Sequence, residues 1–480
     1  MLFFRREGAK MGQNHNLELS FRADGRPQHT RKYLVRRFFN WFPMGLTYAF
    51  LYMGRYNLTV AKNALGSMMT KADFGIIFGI GTFAYAIAFL INGPLTDKIG
   101  GKRAIQIAAL GAGTANLLMG FMLYAVLVKN ASFNLVIVFS ALYLMNMYFQ
   151  SFGAVSIVKV NSAWFHVRER GVFGGIFGIL ISLGIYFAFD WSEAIVNATR
   201  AVISTDLGLI QRILRVLVGA TDATIDQTWW VFFIPAILLY TFFIIETFLL
   251  RDNPQKAGLY NLNTADASSG EADTPLPLKE LLTRILTNKI IIIVAAIELC
   301  TGVLRQGIMH WYHIYNFEVF KLGAESFMRA HWGLILMIAG STGGMLAGFL
   351  SDRVFGSRRG PVAALLYGTM VFATILMIFA LKNPVLLAIV VTLISFCVIG
   401  THGMLSGTAT MDFGGSRGAA TAVGLIDGAV YLGTGIQSLA IGFISGVNWA
   451  FWPIFLTPFS VIGLMLAIKI WHAMPQPKKK

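Results

Sequence analysis

Charge is what this sequence has least of. Asp, Glu, Lys and Arg together make up 13% of the 480 residues, against 56% hydrophobic ones. So few charged side chains cannot cover a water-facing surface of that size, which excludes an ordinary soluble globular chain. Cysteine is almost missing: Cys300 and Cys397 both sit in apolar stretches, which rules out a disulfide scaffold and a Cys-rich metal site. No phosphate-binding glycine loop in a strand–helix context, metal-ligand cluster or catalytic triad stands out. Neither an enzyme nor an ATP-driven pump is expected, and no cofactor. Residues 1–35 are polar and basic, without a short apolar core ending in small residues. A cleavable signal peptide is therefore not expected, and the first apolar segment should be its own insertion signal.

What the sequence has instead is long apolar runs. An all-α membrane protein with twelve transmembrane helices is expected, over residues 39–61, 73–94, 104–127, 133–157, 171–190, 228–249, 288–314, 330–350, 361–381, 385–408, 418–444 and 449–470. Each approaches or exceeds the roughly 20 residues that cross about 30 Å of hydrocarbon. The 49 glycines suit close helix packing in lipid. A net charge of +16 would suit nucleic acid, but its distribution points to a bilayer. On the expected topology 28 of the 39 Lys and Arg fall on one side, 9 on the other, and Arg55 and Arg305 within the membrane. This positive-inside bias would place both termini in the cytoplasm, and no nucleic-acid partner is expected; the expected location is a cell (inner) membrane.

The chain divides accordingly. Residues 1–38 form a basic cytoplasmic tail, 39–250 a first six-helix bundle, 251–287 a cytoplasmic linker, 288–472 a second six-helix bundle and 473–480 a basic tail. Residues 191–227 form an external insertion in which Asp206–Val218 has apolar positions at helical spacing, as an interfacial amphipathic helix would. Trp229, Trp230, Trp311, Trp449 and Trp452 lie near segment ends and read as interfacial belts.

The informative charges are those inside the spans. Residues 288–316 are apolar enough to cross, yet contain Glu298 and Arg305; Arg55 sits in a similar run near the chain start. A charge at mid-membrane costs roughly 2.5–3.5 kcal/mol on insertion scales, so such residues face a cavity or a partner. One arginine in each half suggests a site for an anion. Glu298 lies seven residues before Arg305, two turns away on the same face. Glu298, Asp427 and His402 are candidates for coupling transport to protons or for a second substrate charge. Glu246 reads as structural.

The halves also repeat one another. The loop Gly93-Pro-Leu-Thr-Asp97-Lys-Ile-Gly-Gly-Lys-Arg103 recurs as Gly348-Phe-Leu-Ser-Asp352-Arg353-Val-Phe-Gly-Ser-Arg-Arg359, each following its membrane arginine. Asp97, Arg103, Asp352 and Arg353 would latch helix ends as gating loops. This pattern resembles the major facilitator superfamily, in which two six-helix bundles rock about a central site.

Within it, the chain is similar to the organophosphate:phosphate antiporters. The resemblance is carried by Arg55 with Tyr56-Asn-Leu58, Tyr85, Phe149-Gln150, Trp164-Phe-His-Val-Arg-Glu-Arg-Gly171, Leu304-Arg-Gln-Gly-Ile308 with Trp311, Ser351-Asp-Arg-Val-Phe-Gly-Ser-Arg-Arg-Gly360, and Gly424 with Tyr431-Leu-Gly433. It implies that Arg55 and Arg305 grip a phosphate group, with Tyr85 and Gln150 lining the same cavity; Tyr312 and Tyr431 are further candidates for substrate binding. Arginine chemistry agrees, because its planar fork matches phosphate oxygens bidentately. Some members carry a lysine where this chain has Phe89 and a histidine where it has Ile181. A larger or more amphipathic ester is therefore expected here. The resemblance implies exchange of a phosphate ester for inorganic phosphate; a small anionic substrate and a monomeric protein are expected. Proton-coupled symport, a transporter-like sensor of a sugar phosphate, and an exporter of anionic amphiphiles are the competing readings.

Overall fold

A backbone crossing hydrocarbon must satisfy its own hydrogen bonds, and this one does so with helices. The computed structural model describes residues 27–166, 169–203, 206–260, 262, 283, 287–323, 325–356 and 358–473, with side chains throughout these except at 97, 162, 170–177, 352 and 407–423. Before the linker come α1 (Arg31–Leu65), α2 (Lys71–Ile99), α3 (Gly101–Lys129), α4 (Leu135–Trp164), α5 (Arg170–Tyr186), α6 (Ser192–Ala198), α7 (Leu209–Leu217) and α8 (Trp230–Leu249). After it come α9 (Lys289–Met309), α10 (Trp311–Glu318), α11 (Phe327–Ala330), α12 (Trp332–Phe349), α13 (Arg359–Ala380), α14 (Pro384–His402), α15 (Thr410–Val447) and α16 (Phe451–Lys469).

Among the described residues, eleven helical stretches are long and apolar enough to cross a membrane. The twelfth expected span, α1, has the length at 35 residues, but its buried face is too polar for that criterion, with Thr47, Arg55, Asn57, Thr59, Lys62 and Asn63. Polarity that weakens the hydropathy signal is here the mark of a helix facing other helices rather than lipid.

The helix starts follow from their caps. Thr30, Thr70, Asn134, Asn288 and Asn383 each accept a backbone N–H from the first turn, and Thr70 with Asp73 forms a reciprocal capping box. The expected loop over Gly93–Arg103 shrinks to Gly100, where α2 and α3 meet at φ +89°. Hydropathy marks the hydrocarbon thickness, but both helices continue into the polar zone. Asp252 then accepts the Lys102 backbone N–H at 2.8 Å, serving the first turn of α3. In the repeat, π-helical residues Leu350–Val354 extend α12 before the chain turns into α13.

The 191–227 stretch also differs from a simple external loop. A π-helical stretch, Phe187–Trp191, carries α5 directly into α6, so the helix runs on to Ala198. The amphipathic helix is α7, and its polarity is inverted relative to a soluble helix. Leu209, Ile210, Val216 and Leu217 are exposed, while buried Arg215 donates to the carbonyls of Ala198 and Arg200 at 3.0 and 2.6 Å. The expected tryptophan belts require a correction. Trp311 and Trp452 are fully buried in the bundle, donating their indole N–H to Gln437 Oε1 and the Gly307 carbonyl. A buried indole needs an acceptor, and the polar backbone of closely packed helices supplies one.

On the side of the termini, Trp164, Phe165 and Glu169 form a staple. The Trp164 indole donates to the Arg251 carbonyl at 3.0 Å, Arg37 lies 4.3 Å over the Phe165 ring, and Glu169 accepts from Arg37 at 3.1 Å and pairs with His29 at 3.0 Å. Burial opposes the charge on Glu169, yet the bonds from His29 and Arg37 win and hold its pKa down at about 2. A carboxyl held below its unfolded value stabilises the fold above about pH 4.5, and this is lost as pH falls toward 2. Glu169→Gln should cost about 1–3 kcal/mol at neutral pH and flatten the acid limb of the melting curve between pH 4.5 and 2. Unchanged acid sensitivity would show that the staple contributes nothing.

Candidate functional site

The centre of the molecule is built from α1 outward. Tyr48, Tyr52 and Tyr56 recur at four-residue spacing and, with Arg55, turn one polar aromatic stripe inward. Arg55 is fully buried. Its Nε donates to Gln150 Oε1 at 2.8 Å, Nη1 to the Tyr431 hydroxyl at 2.6 Å and Nη2 to the Tyr85 hydroxyl at 3.0 Å. The guanidinium also lies 4.6 Å from the ring centroids of both Tyr52 and Tyr85. All of these partners are neutral.

Behind Arg55 stands a ladder of amides: Gln150 donates to Asn146 and Asn116 donates to Asn146, at 2.9 and 3.3 Å, while Asn57 donates to Asn116 at 3.0 Å. These fix the orientation of Gln150 and hence of the arginine. Amides at 146 and 150 on an otherwise apolar helix were the available signal for this support.

Arg305 rises from α9 in the other half and is 7% exposed, yet its Nε and Nη2 have no hydrogen-bond partner. Tyr52, Tyr56 and Tyr431 lie within electrostatic reach of both arginines. Gln306, next to Arg305, donates to the Tyr56 hydroxyl at 2.8 Å, tying α9 to α1. Two guanidinium groups thus converge from the two halves, one held by neutral groups and one with bare donors. Buried donors of this kind are costly unless a ligand completes them.

The coupling candidates gather on the C-terminal side of this centre. Glu298 is fully buried; its Oε2 lies 2.8 Å from His402 Nδ1, and its Oε1 has no partner. Asp427 accepts from the Ser406 hydroxyl and lies within electrostatic reach of His402, Glu298 and Arg305.

Of the residues expected to line the site, Arg55, Tyr85, Gln150 and Tyr431 are brought together, and Arg305 faces them. Tyr312 stands apart: it lies two turns beyond Arg305, its ring 4.6 Å from that of Trp332. Phe89 packs on Tyr85 at 4.6 Å and closes one wall with an apolar surface. Arg103 and Arg353 are exposed at the helix ends. The side chains of Asp97 and Asp352 lie outside the described residues, as do residues 1–26, most of the linker, and 474–480.

A second set of contacts was not visible in the sequence. On the side opposite the termini the two halves are joined by ionic and polar pairs. Lys62 and Lys71 both pair with Glu318, the latter at 3.1 Å. Glu193 pairs with Arg329 at 2.6 Å, and Asp190 accepts the backbone N–H groups of Gly333 and Leu334 at the start of α12, at 2.6 and 3.1 Å. Thr59 and Asn63 meet His310 and His313 at 2.6 and 2.9 Å. These pairs join the halves on this far side, in addition to the bonds at the central site. The molecule is closed there.

Comparison with known proteins agrees with this architecture. The chain is 25% identical over 448 residues to the glycerol-3-phosphate transporter of Bacillus subtilis, spanning 88% of this chain and 90% of that one. It is 25% identical over 474 residues to the "Probable hexose phosphate transport protein" of Chlamydia trachomatis, spanning 94% and 93%. It is 22% identical over 432 residues to the membrane sensor protein UhpC of Escherichia coli, spanning 87% and 86%. The resemblance read from the motifs is thereby borne out. Among solved structures, a bacterial homologue of the human lysosomal transporter Spinster superposes with a TM-score of 0.70 at 13% identity, covering 92% of this chain and 98% of that one. The Major Facilitator Superfamily model matches residues 44–438, and with two bundles meeting at a central buried site this multi-pass membrane protein belongs to that superfamily.

Proposed function

We propose that the protein is a secondary transporter that moves a phosphate ester by alternating access, with Arg55 and Arg305 gripping the phosphate between the two halves. The observation that carries this is the bare Nε and Nη2 of buried Arg305, which shares Tyr52, Tyr56 and Tyr431 as electrostatic neighbours with buried Arg55 of the opposite half. A phosphate offers two or more oxygens in the geometry of a guanidinium fork, and two arginines together match a dianion. The relatives named as glycerol-phosphate and hexose-phosphate transporters support the same class of cargo.

With both termini in the cytoplasm, a reading that the positive-inside bias supports, the closed far side faces outward and the protein is inward-facing. Phosphate ester enters in exchange for inorganic phosphate, and a monomer is sufficient, because both arginines come from one chain. The bundles at 39–250 and 288–472 are the two rocking units, and Asp97, Arg103, Asp352 and Arg353 act at the inner helix ends.

Exchange is the test. Proteoliposomes loaded with inorganic phosphate should take up radiolabelled glycerol phosphate or hexose phosphate, and empty liposomes should not. Binding without flux would instead identify a sensor. Uptake that needs an inward proton gradient and no internal phosphate would replace exchange by symport.

A further inference from the structure

The two arginines are not the only charges at the centre. Two carboxyl groups face the same place from the C-terminal half, and a phosphate group has no use for either. We propose that Glu298 and Asp427 receive a cationic group of the cargo, so that the preferred substrate is a phosphate ester that also carries an amino group. This rests on the phosphate-ester reading above and narrows it.

Glu298 supplies the first argument. It is fully buried, His402 holds one of its oxygens at 2.8 Å, and Oε1 is left without a partner. A buried oxygen with strong acceptor character and no donor is as incomplete as the bare N–H groups of Arg305. The two lie on one face of α9, two turns apart, about 10 Å along the helix axis, and within electrostatic reach of each other. An anion at one end and a hydrogen-bond donor at the other end of a small molecule would complete both.

The charge count decides what kind of donor. Arg55 and Arg305 carry two positive charges; Glu298 and Asp427, when ionised, carry two negative ones. A hydroxyl-bearing phosphate dianion would therefore leave two uncompensated negative charges in a buried, low-dielectric site. An ammonium group removes one of these and donates up to three hydrogen bonds to acceptors already in place. Titratable groups within electrostatic reach of these four charges include His402 on α14, His310 after α9, Cys300 on α9, Tyr48, Tyr52 and Tyr56 on α1, Tyr85 on α2, Tyr143 on α4, Tyr367 on α13 and Tyr431 on α15, and none of them brings a fixed charge.

The geometry of Asp427 adds a second acceptor from a different helix. It accepts from Ser406 and lies within electrostatic reach of Glu298, His402 and Arg305. Asp427 on α15 therefore adds a second acceptor to Glu298 on α9, within electrostatic reach of Glu298 and Arg305. Inorganic phosphate would use the arginines alone, so the carboxylates act as discriminators between the cargo and its exchange partner.

Matched pairs of ligands test the idea on the purified full-length protein. Ethanolamine phosphate is compared with ethylene glycol phosphate, and glucosamine 6-phosphate with glucose 6-phosphate, by calorimetric titration at pH 7, with inorganic phosphate as the reference. The aminated member of each pair should bind at least tenfold more tightly. In Glu298→Gln, and separately in Asp427→Asn, that ratio should fall below threefold. Equal affinity within each wild-type pair would overturn the proposal, as would tighter binding of the hydroxyl compounds that strengthens with falling pH, which would mean that the carboxyls carry protons alongside a dianion. If no phosphate compound binds at all, the phosphate-ester reading itself fails.

Discussion

Arg305→Lys should weaken phosphate-ester binding by at least 100-fold, and Arg305→Gln should abolish measurable flux. The size follows from the donors that are lost. Nε and Nη2 of Arg305 are buried and unpartnered, so both are available to a phosphate without first breaking another bond. Hydrogen bonds to charged groups contribute about 1.5–3 kcal/mol each, and two of them together correspond to two or more orders of magnitude in dissociation constant. Lysine keeps the charge but presents a point donor on a flexible stem, so it recovers the Coulomb attraction and not the paired geometry.

Arg55 should respond differently. Each of its three guanidinium nitrogens is already engaged, by Gln150, Tyr431 and Tyr85, and two of these partners come from elements of its own half. Binding there exchanges neutral partners for an anion, so Tyr85→Phe and Tyr431→Phe should each change affinity by about tenfold or less, the worth of a single hydrogen bond. Arg55→Lys should again cost 100-fold, because the Nε bond to the buried amide ladder is lost along with the fork. The readouts are initial uptake rates in proteoliposomes and titration calorimetry, with the melting temperature of each variant as a folding control. Variants of either arginine that fold and transport within threefold of wild type would remove the central site.

How much of this was legible beforehand depends on whether a residue announces itself within its own segment. Arg55, Arg305 and Glu298 did, because a charge inside an apolar run stands out at any register. The convergence of Arg55 with Tyr431, 376 positions later, rested on the family resemblance, since one sequence carries no signal for pairing across that separation. The far-side contacts were not legible. Asp190 and Glu193 sit where the apolar run of the fifth span gives out, so they read as the start of an external loop. In the structure a π-helical stretch carries the helix past them and delivers both to the other half. Glu318 and Arg329 likewise lie at helix ends, where charge is ordinary. Tyr312 shows the converse error of reach: it shares a helical run with Arg305 but is turned to Trp332.

Gly75→Leu should abolish transport while leaving the fold and the central site intact. Gly75 on α2 faces α15 so closely that a Cβ there would lie 2.5 Å from the Ser438 carbonyl oxygen and 3.0 Å from the Gly442 Cα. Both neighbours are backbone, so no rotamer change can make room, and the helices must separate. They belong to opposite halves, and the contact lies on the far side, where Lys71 also reaches the Ser445 carbonyl at 3.2 Å and Glu318 at 3.1 Å. A wedge at this point therefore acts on the closure of the two halves and not on the packing inside either one.

A cysteine at Thr59, which is buried between the halves beside His310, reports the outcome. The native Cys300 and Cys397 are buried, and replacing them by alanine removes their background. With Gly75→Leu, labelling of Thr59→Cys by a membrane-impermeant maleimide added from outside should accelerate at least tenfold over the same cysteine without the wedge, and exchange should fall below about 5% of wild type. A wedge that leaves both labelling and exchange unchanged would mean that the far side does not need this contact to close. Loss of exchange without faster labelling would place the damage inside a half. Only the combined result ties the ion pairs of Lys62, Lys71 and Glu193, and the backbone bonds of Asp190, to one half of the transport cycle, as the bonds that hold the outer side shut while the inner side is open.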